Sequence, residues 1–148
     1  MVTNRSVPTE TMLPHIFYRS VPDAVEWLTR VLGFQENYRY GDSKTGGAQM
    51  FLGGAFVMLA SCGHRSCPAE SGYGTQSLTI FVPDVDAHFA GARAQGANIV
   101  EDLNETIYGE RQYGVEDLDG HQWLFSQHAR DVAPEEWGAV VARRGLRP

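Results

Sequence analysis

The tightest constraint on this chain is that it runs twice from an apolar strand into a capped helix and then into further strands. Leu13–Arg19 leads to Ser20, an N-cap with Asp23 three residues on as a shortened capping box. Ala24, Trp27, Leu28 and Val31 recur at helical spacing until Gly33 stops the helix. Later, Ser77–Val82 leads to Asp84 as N-cap, followed by Val85, Phe89 and Ala92, and Gly96 ends that helix. Strand-like runs follow each helix: Gln49–Leu52 and Phe56–Ser61 after the first, and Ile99–Leu103, Arg111–Glu116 and Gln122–Gln127 after the second. The order reads as βαβββ twice, an α+β chain whose two copies have diverged too far for identity to prove duplication.

Module one covers about residues 12–61, a Gly-, Ser-, Cys- and Pro-rich connector covers 62–75, module two covers about 76–128, and an extension covers 129–148. At 148 residues the chain has room for one domain with a sizeable core, so residues 1–148 are read as a single domain. Asp117-Leu118-Asp119-Gly120 reads as the hairpin turn joining the last two strands. A short helix is expected over Pro134–Ala142 and a frayed tail over Arg143–Pro148.

Strand alternation sorts side chains by face. Ile16, Tyr18, Val57, Leu59, Leu78, Ile80, Val82, Trp123 and Phe125 fall on apolar faces suited to packing under helices. The opposite faces mix His, Arg, Ser, Thr and Gln with apolar groups. Such a surface suits a ligand cavity, although a solvated second face has the same pattern. Closing the last hairpin so that Glu116 faces His121 places Tyr113 opposite Leu124, and Arg111 and Tyr113 then join the mixed face. The expected ligand-binding set is His15, Phe17, Arg19, Met58, Ser77, Thr79, Arg111, Tyr113, Gln122, Leu124 and Ser126.

Several function classes are excluded or disfavoured. Eighteen acidic against twelve basic residues give a net charge of −6, which argues against a nucleic-acid partner. That charge suits a cationic ligand and equally serves solubility. No run of eighteen apolar residues predicts a membrane span, and MVTNRSVPTETM lacks the apolar core of a signal peptide. Two cysteines make no disulfide framework. A cytoplasmic protein is the expectation. The P-loop, the Gly-x-Ser-x-Gly elbow and the dinucleotide fingerprint are all missing.

The segments LPHIFYRSVPDAVEWLTRVLGF, LGGAFVMLAS, TQSLTIFVPDVDAHFAGARAQGANIV and YGERQYGVEDLDGHQWLFSQH resemble the vicinal-oxygen-chelate superfamily, over about residues 12–130. This superfamily includes glyoxalase I, extradiol dioxygenases, fosfomycin-resistance enzymes and bleomycin-resistance proteins. The likeness is greatest to its glyoxalase-like bacterial members, and DLDGHQW is the most specific piece. The resemblance implies two βαβββ modules forming a curved mixed sheet with helices on the convex side, and a homodimer. Enzymes of the superfamily hold a divalent metal with His and Glu on cavity-facing strands. The bleomycin-resistance proteins hold no catalytic metal and sequester their drug.

Carried onto this chain, the first His position is Leu13, or Ile16 if the two Val-Pro-Asp stretches are aligned. The second His falls on Ser77, the mid-sheet Glu near Met58 and the last Glu on Leu124. Leucine, isoleucine and methionine give a hard divalent cation no useful donor. The expectation is therefore no metal and no cofactor.

Three other groups of residues carry possible chemistry. Cys62, His64 and Cys67 lie close in sequence without a fourth zinc ligand at paired spacing, so a reduced loop, a metal site and a disulfide all stay open. His15 is a candidate general base or ligand partner. Arg111 suits a carboxylate or phosphate, or else a neighbouring acid. His88 reads as topping the second helix rather than as a catalytic group. The expected function is metal-independent binding of a small molecule, aromatic or cationic; the alternative is a superfamily enzyme with displaced metal ligands.

Overall fold

The computed structural model describes residues 12–42 and 44–142. Module one contains β1 (His15–Tyr18), α1 (Val21–Leu32), β2 (Gln35–Tyr40), β3 (Gly47–Leu52) and β4 (Ala55–Ser61). The connector carries one helical turn, α2 (Pro68–Ser71). Module two contains β5 (Ser77–Phe81), α3 (Val85–Ala94), β6 (Asn98–Glu105), β7 (Glu110–Glu116) and β8 (Gln122–His128). Each module builds a four-stranded mixed sheet, ordered β1-β4-β3-β2 and β5-β8-β7-β6. In both, the first strand lies parallel to the last and the other neighbours are antiparallel. The two sheets thus share the topology expected of two βαβββ modules.

Local chemistry explains the helices. Ser20 Oγ accepts from Asp23 N at 3.3 Å, and Gly33 closes α1 in the left-handed conformation at φ 78°. Asp84 Oδ1 caps Ala87 N at 3.0 Å at the start of α3. Val21, Ala24, Val25, Leu28, Val31 and Leu32 form the buried stripe of α1, whereas α3 fully buries only Val85 and Ala92. These stripes cover Ile16, Tyr18, Val57, Leu59, Ile80, Val82, Trp123 and Phe125, and both modules share one core. Burying each large apolar side chain contributes roughly 1.5–3 kcal/mol.

Two elements differ from the sequence reading. β2 gave no strand signal because it is a polar edge strand, exposed except for Tyr38, with a bulge between Glu36 and Tyr38. An ion pair between Glu36 and Arg39 marks that edge with charge, which discourages pairing with another chain. The helix expected over Pro134–Ala142 is only a 3-10 turn, Pro134–Trp137, closed by Gly138 at φ 95°. Residues 1–11 and the tail at 143–148 lie outside the described residues. No helix among the described residues is long and apolar enough to cross a membrane.

Candidate functional site

Register decides which side chains share the open face, the side of the strands away from the helices. In module two, Ser77 pairs with Gln122, Thr79 with Leu124 and Phe81 with Ser126. This places Ser77, Thr79, Gln122, Leu124 and Ser126 together, beside the 61% exposed ring of Phe81. In module one, His15 pairs with Met58 and Phe17 with Ala60. The guanidinium of Arg65, from the connector, lies 4.5 Å from the centre of the Phe17 ring. Met58 is only 7% exposed, because Gln49 Nε2 and Tyr38 Oη cover its sulfur at 3.5 and 3.7 Å.

Arg111 and Tyr113 are corrections to the sequence reading. Glu116 pairs with Gln122, not His121, so Tyr113 pairs with Phe125 and turns toward the helices. A one-residue slip moves a strand's whole set of side chains to the other face. The loop closes one residue wider than expected, with Asp117 N donating to His121 O at 2.9 Å. Arg111 instead makes a two-pronged ion pair with Asp86 on α3, at 2.9 and 2.8 Å. That partner holds the Asp86 carboxyl below its ordinary value. Tyr113 is fully buried, stacked on Phe125 and edge-on to Phe89. Burial pushes its hydroxyl well above the ordinary tyrosine value. Gln112, Gly114 and Glu116 take the open-face positions.

Arg19 is committed elsewhere in the fold. Its backbone N and Nε donate to Asp119 at 2.7 and 2.9 Å, tying β1 to the β7–β8 hairpin. Beside it, Asp117 accepts from Tyr18 Oη at 2.7 Å, Trp123 Nε1 at 3.0 Å, and the backbone N atoms of Asp119 and His121 at 3.0 and 2.9 Å. The imidazole of His121 donates from Nε2 to Phe17 O at 2.8 Å. His88, read as topping α3, instead bridges the modules. Nε2 must donate to Leu32 O at 2.8 Å, so Nδ1 accepts from Tyr113 Oη at 2.6 Å. Desolvation lowers its pKa from the ordinary value of 6.5, against the pull of the Leu32 carbonyl.

The sequence reading missed a polar network on the open face of module two. Gln112 Oε1 accepts from Tyr108 Oη at 3.1 Å and from Ser126 Oγ at 3.3 Å. Its amide Nε2 lies 3.3 Å from Glu101 Oε2. Further along, His128 Nδ1 approaches Glu110 Oε1 at 3.2 Å, while Glu110 Oε2 is buried without a hydrogen-bond partner. Gln112 in mid-strand, apolar in neither direction, was the available sequence signal.

The four positions matching the superfamily's metal ligands do not fit a divalent cation. Met58 engages its sulfur with protein donors, and Ser77 and Leu124 offer a hydroxyl and a hydrocarbon. Ile16, the alternative to Leu13, lies in the core. Among the described residues, no three His, Cys, Asp or Glu side chains come close enough to hold a metal. Cys62 and Cys67 are buried free thiols and His64 is exposed.

An uncharacterised protein of Mycobacterium bovis is 35% identical over 135 residues, 87% of this chain and 84% of that protein. A Mycobacterium tuberculosis protein, also uncharacterised, is 35% identical over 87% of this chain and 75% of its own. The crystal structure of TioX from Micromonospora sp. ML1 superposes with a TM-score of 0.68 at 36% identity, covering 81% of this chain and 99% of that one. A glyoxalase/bleomycin resistance protein/dioxygenase from Alicyclobacillus acidocaldarius superposes at 0.65 with 16% identity, over 83% of this chain and 94% of its own, a likeness of fold. The family profile described as Glyoxalase/Bleomycin resistance protein/Dioxygenase superfamily matches residues 10–125, and the chain belongs to that superfamily.

Proposed function

We propose that this chain binds a small organic molecule on the open face of its sheets and does so without the divalent metal used by the superfamily's enzymes. The carrying observation is the chemistry of that face. At the positions matching the superfamily's metal ligands it offers Met58, Ser77 and Leu124, and around them a mixture of amide, hydroxyl and aromatic groups. Apolar area with a few fixed polar groups is what a ligand surface requires. Purified protein is expected to carry well under one divalent ion per chain, by elemental analysis. In a thermal-shift screen it should be stabilised by a compound it does not transform. One tightly held metal per chain overturns the metal-free reading.

One observation favours a second reading, an enzyme with displaced ligands. The Glu110 carboxylate beside His128, with Oε2 buried and without a hydrogen-bond partner, is a carboxylate–imidazole pair of the ligand types the superfamily's enzymes use. A stoichiometric metal lost in Glu110→Gln would select this reading.

A further inference from the structure

A cavity of about 360 Å³ lies between the connector and the β7–β8 hairpin. It has two walls of different character. One is the cross-strand pair Glu116 and Gln122, neighbours in register on the open face. Glu116 Oε2 accepts from Asn98 at 2.8 Å, but its Oε1 has no hydrogen bond among the described residues, and neither does the Gln122 amide. The other wall is Tyr73, 68% exposed between Gly72 and Gly74, with Leu118 contributing apolar surface across from it.

The connector is anchored on one side of this wall. Ala69 N donates to Asp119 O at 2.9 Å, and only a glycine at 120 permits the approach, since a Cβ there would stand 2.6 Å from Ala69 N. Beyond that anchor, Gly72 at φ 83° turns the chain so that the Tyr73 ring projects. No Lys, Arg or His lines the cavity, and Asp117, like Glu116, is among its lining residues.

We propose that this cavity binds a small planar cation, an aromatic amine or amidine, with its charged nitrogen on Glu116 and Gln122 and its ring against Tyr73. The proposal rests on the small-molecule reading above and names a ligand class and a place for it. An unpaired carboxylate oxygen beside an unpaired amide accepts the two N–H groups of an amidine or aromatic amine. An exposed phenol ring offers its face to a flat cation. Anions are repelled, because Glu116 and Asp117 have no basic neighbour in the lining.

The probe is 9-aminoacridine followed by fluorescence anisotropy, with neutral acridine and anionic acridine-9-carboxylate as comparisons. The cation should bind tightest and the carboxylate should not bind. Glu116→Gln keeps an acceptor for Asn98 and should weaken the cation about tenfold, leaving acridine nearly unchanged. Tyr73→Ala should weaken both flat ligands about five- to tenfold. Ile107→Ala, in the turn before β7 and outside the cavity lining, should leave binding intact. Circular dichroism of each variant separates lost binding from lost folding. If wild-type protein ignores 9-aminoacridine, or binds all three probes alike, the ligand class is wrong and the inference falls. Binding of 9-aminoacridine indifferent to both Glu116→Gln and Tyr73→Ala overturns the inference alone and leaves the ligand to the open face.

Discussion

The single residue with the widest reach in this fold is Asp117. Its two oxygens collect a phenol, an indole and two backbone amides, and these come from both modules. A buried carboxylate is tolerable only when its lone pairs are filled in this way. His88 has a comparable position between α1 and β7, with one proton and one lone pair both in use. Burial favours its neutral form, so its folded pKa lies below the unfolded value of 6.5. The folded state binds this proton less readily than the unfolded one, so stability is greatest above pH 6.5 and falls as pH drops toward the lowered folded value. Melting temperature should decline more steeply from pH 7 to pH 5 in the native chain than in His88→Gln. Parallel declines would show that His88 is not the sensor. Neither hub was legible in the sequence, since Asp117 reads there as a turn residue and His88 as a helix surface residue.

At the scale of elements, legibility followed the strength of local signals. Both helices were readable because an N-cap, a helical period and a closing glycine agree at each. β2 was not, because an edge strand with one half-buried side chain has no alternation to read. The face assignment held for β5 and β8, whose apolar alternation is strong, and failed for β7. There the loop length sets the register, and the residue count of the turn did not reveal it. As a result, the open face gains Gln112 and Glu116 and loses Arg111 and Tyr113. The same hairpin supplies a test. Gly120 sits at φ 87°, and an added Cβ would meet the backbone of Ala69. Gly120→Ala should therefore destabilise the fold by about 1–3 kcal/mol, read as a lower urea midpoint. An unchanged midpoint would mean that the connector is not packed against this turn.

For the whole molecule, each sheet has one polar or irregular edge, at β2 and at β6, and apolar or aromatic side chains such as Val100, Ile107 and Trp137 remain exposed. We propose a homodimer that covers part of this surface, as closed two-fold pairing of like chains usually does. Light scattering at micromolar concentration should return twice the chain mass, and a monomer there would refute it. The ties between modules also bear on how the chain reaches its folded state. Each sheet is completed only when its last strand docks beside its first, so each module closes over nearly its full length. Module one, even when closed, leaves the Tyr18 hydroxyl and the Phe17 carbonyl without the partners that only the final hairpin brings. An unmatched buried hydroxyl costs about 1–3 kcal/mol, a large share of what a half-sized core can supply. Although the architecture is duplicated, its halves are not interchangeable spare parts: the last hairpin supplies partners that the first module lacks, and the chain should unfold as one cooperative unit, with coincident urea transitions by tryptophan fluorescence and circular dichroism.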